Sequence, residues 1–140
     1  MKNLYTLVLV FAFSLIMKAE VSVTEKNALL KLYDATNGSD WTVKWDLEAP
    51  VSNWFGIVLQ DDKVIAIQLP NNNLVGKLPA EISALVNLKT LDLFKNFISG
   101  TIPSSIGEMK SLETLKLSFN LLSGIIPASI GEVSSLKTLE

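Results

Sequence analysis

A chain of 140 residues that is 49 % hydrophobic and 19 % charged, with a formal net charge of −2, has the length of one domain and the composition of one that buries a core. Its 12 basic residues are all lysines scattered along the chain, so the clustered footprint of a nucleic-acid binder is missing and no nucleic-acid partner is expected. With no cysteine and no histidine, disulfide frameworks, thiolate zinc sites, thiol nucleophiles and Ser-His-Asp chemistry are excluded; no metal, no cofactor and no catalytic residue is expected.

Residues 1–19 read as a secretory signal peptide. Lys2 supplies the positive start, residues 4–17 form a mostly apolar run, and Ala19 is the small residue before cleavage. The run is shorter than the roughly 20 residues that cross a bilayer. Cleavage removes Lys2 and Lys18 and no acid, leaving a more acidic mature chain. No second apolar run follows, so the mature chain carries no membrane span and is expected to be secreted or held at the cell surface.

The stretch TEKNALLKLYDATNGSDW (24–41) predicts a helix with Thr24 as its N-cap, Ala28, Leu29, Leu32 and Tyr33 on one apolar face, and Asn37-Gly38 as its stop. Asn37-Gly38-Ser39 also matches the N-glycosylation acceptor pattern, although the helix stop explains the same residues without sugar. Asp61 and Asp62 offer too few oxygens for a calcium site.

From Val64 onward the sequence repeats. Val64, Leu88, Leu112 and Leu136 stand 24 residues apart and open the blocks 64–87, 88–111, 112–135 and a truncated 136–140. In the third block Leu112, Leu115, Leu117, Leu122, Ile126, Ile130 and Val133 mark apolar positions that recur in phase in the others. A period in the range 20–29 with an L-x-x-L-x-L-x-x-N-x-L core signals a solenoid whose coils stack into one continuous core. Apolar residues two apart at the start of each block define a short strand with one face inward, so stacked coils build a parallel sheet. Pro79, Pro103 and Pro127 interrupt helix on the return path, which predicts 3₁₀ or irregular turns on the opposite, convex side. Asn72, Asn96 and Asn120 are polar residues at an inward position; they read as a structural ladder that satisfies backbone groups where the chain leaves the strand.

The phrases NNNLVGKLPAEI, NFISGTIPSSIGEMKSL and NLLSGIIPASIGEVSSL resemble the plant-type leucine-rich repeat, with its N-x-L-x-G-x-I-P pattern. The resemblance covers residues 24–140 and implies an α/β solenoid: a right-handed superhelix with short parallel strands on the concave face, and a helix-plus-hairpin cap over residues 20–63 ahead of repeats 64–140. VSNWFGIVLQDDKVIAIQL (51–69) resembles the end of such a cap, with Trp54-Phe55-Gly56-Ile57 leading through a turn at Asp61-Asp62-Lys63. Plant caps usually carry a cysteine pair here. This chain has none, so Trp41, Trp45 and Trp54 are expected to pack over the first coil instead, and the cap pattern looks closer to microbial secreted members than to plant receptor kinases.

The outward strand positions supply the candidate site: Gln68, Asn71, Asp92, Phe94, Lys95, Lys116 and Phe119. Gln68, Asp92, Lys116 and Glu140 fall in one column, whose alternating charges suggest cross-strand pairing. Aromatic residues on an outward face are enriched at interfaces, which draws attention to Phe94 and Phe119. The resemblance implies a non-enzymatic, extracytoplasmic recognition module that binds a protein or glycan partner through the concave face. Two alternatives stand beside it. The chain reads as the N-terminal fragment of a larger surface receptor, or of an enzyme whose catalytic domain lies beyond residue 140. The threonine column Thr90, Thr114 and Thr138 suggests ice binding, although Ala66 interrupts it. The last repeat stops at Glu140 with Leu136 and Leu139 uncovered, so self-association through an uncapped C-terminal coil is expected.

Overall fold

The computed structural model describes residues 20–140; the signal-peptide reading of residues 1–19 lies outside them. The chain opens with helix α1 (Val23–Ala35), whose N-cap is Ser22. The Ser22 hydroxyl accepts the Glu25 N–H at 3.2 Å and donates to the Glu25 carboxylate at 3.0 Å, a reciprocal pair of bonds at the spacing of a capping box. Thr24, expected as the cap, lies inside the first turn, because only Ser22 has an acidic partner three residues on. Ala28, Leu29 and Leu32 are buried, with Tyr33 packed at their margin. The second oxygen of the buried Glu25 accepts the Val64 N–H at 3.1 Å, fastening the helix to the start of the first coil. The helix stops at Thr36, and Asn37 takes the left-handed conformation at φ 56°.

The tryptophans form the body of the cap. Trp41 meets Trp45 edge-on at 4.9 Å, Trp45 stacks on Trp54 at 4.7 Å, and Tyr33 touches both Trp41 and Trp45. Each indole N–H is satisfied: Trp41 donates to the Thr36 carbonyl, Trp45 to Phe55, and Trp54 to Asp46 and Ala49. Burial of large aromatic rings with their polar edges paired does here what a cross-link does in a smaller core.

Strands β1 (Ile57–Gln60) and β2 (Lys63–Gln68) form an antiparallel hairpin across Asp61 and Asp62, both at positive φ, and β2 opens the solenoid. Three further strands join β2 in parallel: β4 (Thr90–Asp92), β6 (Thr114–Lys116) and β8 (Thr138–Leu139), giving the order β1-β2-β4-β6-β8 on the concave side. The return path holds 3₁₀ turns at Ala80–Ala84, Ser104–Glu108 and Ala128–Glu132, each directly after its proline. It also holds a feature beyond the expected turns. β3 (Val75–Lys77), β5 (Phe97–Gly100) and β7 (Leu121–Leu122) make a second parallel sheet, because each coil re-extends for a few residues before its proline and can pair with the coil before it.

Leu69, Leu74, Ile82, Leu85, Leu88, Leu91, Leu93 and Ile98 are fully buried between the sheets and turns. Serine hydroxyls stitch the coils on the outside: Ser105 donates to the Ala80 carbonyl and Ser129 to that of Ser104. Along the last coil burial falls away, leaving Ile126 and Leu139 exposed. Among the described residues no helix is long and apolar enough to cross a membrane.

Candidate functional site

Three asparagines fix the geometry on which the outward side chains stand. Asn96 Oδ1 accepts the N–H groups of Asn72 and Leu74, both at 3.0 Å, while Nδ2 donates to the Leu69 and Leu93 carbonyls at 2.8 and 3.0 Å. Asn120 repeats the pattern one coil on, accepting from Ile98 and donating to Leu93 and Leu117. Asn72 has only the cap behind it and bonds both backbone groups of Val43. Every amide reaches back one layer, so the ladder ties neighbouring coils, and at Asn96 and Asn120 both amide hydrogens are spent on backbone carbonyls.

On this frame the seven candidate contact residues do not form one surface. Gln68, Asp92 and Lys116 stand in register on β2, β4 and β6 and line the sheet face. The expected charge pairing along this column is only partly present. Lys116 meets Glu140 at 3.3 Å, whereas the Asp92 carboxylate turns back to accept the Phe94 N–H at 3.0 Å, and among the described residues no ion pair joins Asp92 to Lys116. The nearer backbone donor wins, since satisfying it fixes the turn after β4 without ordering a long lysine side chain.

Asn71, Lys95 and Phe119 occupy equivalent turns just past the strands, with φ of 49°, 54° and 57°. The left-handed turn swings them off the sheet face toward a lateral groove of about 480 Å³, where they are joined by Asn73, Phe97 and Leu121. Phe94 remains half-buried at the rim and meets Phe119 edge-on, ring centroids 5.2 Å apart. Phe97 and Leu121 were not legible as site residues, because the same position in the first coil is Asn73; only their apolar character at an otherwise polar position signals them.

Thr90, Thr114 and Thr138 are in register. Ala66, expected outward at the head of their column, is buried, because it pairs with Val58 of the added antiparallel strand β1. Asn37 is exposed, and its amide donates to the Asp40 carboxylate at 2.8 Å. Among the described residues no group of three or more acidic side chains is placed to hold a metal ion.

Residues 86–140 match the leucine rich repeat family. A probable leucine-rich repeat receptor-like protein kinase of Arabidopsis thaliana is 39 % identical over 83 residues, an alignment that takes in 49 % of this chain and 9 % of the kinase. Among solved structures, the complex of PEPR1 with AtPEP1 superposes with a TM-score of 0.73 at 32 % identity, over 83 % of this chain and 17 % of that one. The Arabidopsis receptor kinase HAESA, solved with the peptide hormone IDA and the co-receptor SERK1, gives 0.71 at 25 % identity, over 85 % and 21 %. The chain thus spans a small part of each of these proteins. The receptor-like kinase and HAESA are both Arabidopsis proteins of the receptor-kinase type, which runs against the expected greater likeness to microbial secreted members.

Proposed function

We propose that this chain, a leucine-rich repeat solenoid by its fold, is an extracytoplasmic recognition module that binds a protein partner and does no chemistry of its own. The observation that carries the reading is the concave sheet. Its strands set Gln68, Asp92 and Lys116 side by side at the roughly 4.8 Å spacing of a parallel sheet, and the buried asparagine ladder holds that array rigid. A rigid row of unlike polar side chains reads a surface with little ordering cost on its own side. The structures it superposes on include PEPR1 with AtPEP1 and HAESA with IDA and SERK1, which favours a peptide or a receptor ectodomain over a glycan as partner. The apolar leader at residues 4–17 supports export. A second reading, favoured by the identity to a receptor-like kinase, makes this module one part of a larger surface receptor.

Photo-crosslinking groups at Gln68 and Lys116 test the proposal against the same group at Lys110, which lies just past a 3₁₀ turn on the far side. In extracellular material, adducts from the two sheet positions that disappear after protease treatment are the expected result. Equal labelling from Lys110, or adducts that survive proteolysis as glycan, would overturn it.

A further inference from the structure

We infer that Asn37-Gly38 is a latent site of self-modification. The folded cap holds the pair in a conformation that cannot react; opening of the cap lets Asn37 lose its side-chain amide as ammonia, and the product closes less well than the parent. The inference is independent of what the concave face binds.

The fold dictates both residues. Asn37 ends α1 in the left-handed region, at φ 56° and ψ 54°, which asparagine tolerates better than most side chains do. Gly38 is required for space: its backbone lies against Tyr33, and an added Cβ would run into the ring. The outcome is the one asparagine of the chain followed by glycine; each of the others precedes a larger residue. Asparagine is among the thermolabile residues, and in its self-modification the nucleophile is the backbone nitrogen of the next residue, which is least hindered where that residue has no side chain. The Gly38 nitrogen gives up its proton and bonds to Asn37 Cγ, the Cγ–Nδ2 bond breaks, and Nδ2 leaves as ammonia with that proton. Water then opens the cyclic imide at either carbonyl to give aspartate or isoaspartate, and the acid so formed passes its proton to ammonia.

Native geometry forbids the first bond. With ψ at 54°, the Gly38 nitrogen points away from Cβ about the Cα–C bond, nearly anti to it, whereas ring closure needs the two eclipsed. The rotation between these is about half a turn of ψ. It would break the bonds from the Asp40 N–H to the Asn37 carbonyl (2.9 Å) and from the Trp41 N–H to the Gly38 carbonyl (3.2 Å). The Asn37 amide is itself held on the Asp40 carboxylate at 2.8 Å. Flanking ties lock the turn in place: Asn73 donates to the Asp40 carbonyl, and the Trp41 indole to that of Thr36. The pair therefore reacts only in molecules whose cap has come off the first coil. Afterwards the turn no longer fits. Aspartate at 37 replaces an amide donor with a second carboxylate facing Asp40, and isoaspartate lengthens the main chain between Thr36 and Gly38. Each opening event is thus recorded covalently and favours the next.

The test incubates the purified chain in warm, mildly alkaline buffer, with and without urea, and follows the tryptic peptide 32–44 by mass and by isoaspartyl-specific methylation. In urea Asn37 is expected to convert ahead of every other asparagine; in the folded chain conversion is expected to be slower by about a hundredfold or more, the factor set by the rarity of opening. Tyr33→Ala removes the ring from Gly38 and loosens the aromatic cap, and should speed conversion in the absence of urea by about tenfold or more. Gly131→Ala, in the last coil, should change it less than about twofold. Asn37→Gly keeps the left-handed turn, and its peptide should stay unlabelled. The unaltered chain compared with and without urea decides the matter whether or not Tyr33→Ala folds. Equal rates in the two conditions, preferential conversion of another asparagine in urea, or a folded Tyr33→Ala that reacts no faster would overturn the opening-gated site. Asn37→Asp and the isolated isoaspartyl chain are both expected to melt below the parent; melting together with it would overturn the claim that the product closes less well.

Discussion

The side chain of Asn72 clasps the backbone of Val43, accepting its N–H at 2.7 Å and donating to its carbonyl at 3.2 Å. The cap thereby presents to the first coil the backbone that an earlier coil would present, and two further bonds extend the imitation: the Thr42 N–H reaches the Asn72 carbonyl, and the Val75 N–H reaches that of Thr36. Cysteine is not needed for a cap that continues the repeat's own hydrogen-bond pattern.

The middle rung of the ladder should matter most. Asn96 is buried and serves two donors and at least two carbonyls from two coils. Asn96→Leu leaves these groups unpaired, a cost of about 1–3 kcal/mol for each stranded group that water cannot reach. Lys89→Gln, on the exposed surface, should stay within about 0.5 kcal/mol. Denaturant melts giving equal shifts for both would mean that the ladder does not hold the coils.

Most of the frame was readable because each coil imposes the same demands every 24 residues: Val64, Leu88 and Leu112 must be apolar, and Asn72, Asn96 and Asn120 must cap the strand. What escaped reading has physical reasons. A three-residue strand such as Val75–Lys77 is too short to display alternation, so the second sheet left no periodic mark. Phenylalanine disfavours the left-handed region, so nothing in its identity announces that Phe119 turns away from the sheet face to the lateral groove. Ser22 was missed although its partner three residues on, Glu25, gives the capping-box spacing.

The cap should depend on its aromatic packing more than on any single hydrogen bond. Trp41 is 1 % exposed and touches Tyr33 and Trp45. Trp41→Ala should cost about 3–5 kcal/mol, the range for emptying a buried aromatic site. Trp54→Phe, which keeps a ring but strips the donor to Asp46 and Ala49, should cost nearer 1 kcal/mol, about the net value of a hydrogen bond. Near-ultraviolet circular dichroism should collapse in the first variant and persist in the second; the reverse order would assign cap stability to the indole N–H.

Two glycines should respond in opposite directions to the same methyl group. At Gly76, φ is 143° and an added Cβ would lie 2.0 Å from the Ala35 carbonyl oxygen at the end of α1, so Gly76→Ala must push the helix off the second sheet. At Gly131 a Cβ meets nothing within 4 Å. Gly131→Ala should be neutral or stabilise by about 0.4–1 kcal/mol, through the smaller freedom of the unfolded chain. Thermal melts of the pair measure the close approach of cap and coil directly, and equal shifts would show that α1 does not rest on β3.

The last expectation concerns acid. Lys137 donates a 2.6 Å hydrogen bond to the Glu113 carboxylate across the β6–β8 side of the sheet, and that bond, reinforced by the lysine's charge and more weakly by Lys89, holds Glu113 below the usual carboxylate range against a small opposing effect of desolvation. A carboxyl whose folded value is depressed binds its proton more readily in the unfolded chain. The pairing therefore stabilises the last coil fully at neutral pH and down to the ordinary glutamate range, and the contribution is lost as pH falls through the lower folded value. Both side chains face solvent, so salt should weaken the effect. Carbon-13 titration of the Glu113 carboxyl should move up to the ordinary range in Lys137→Gln and, partly, in concentrated salt. A midpoint unmoved by the substitution would mean that Glu113 is held by something other than Lys137 and that the stacking of β8 on β6 does not draw on this pair.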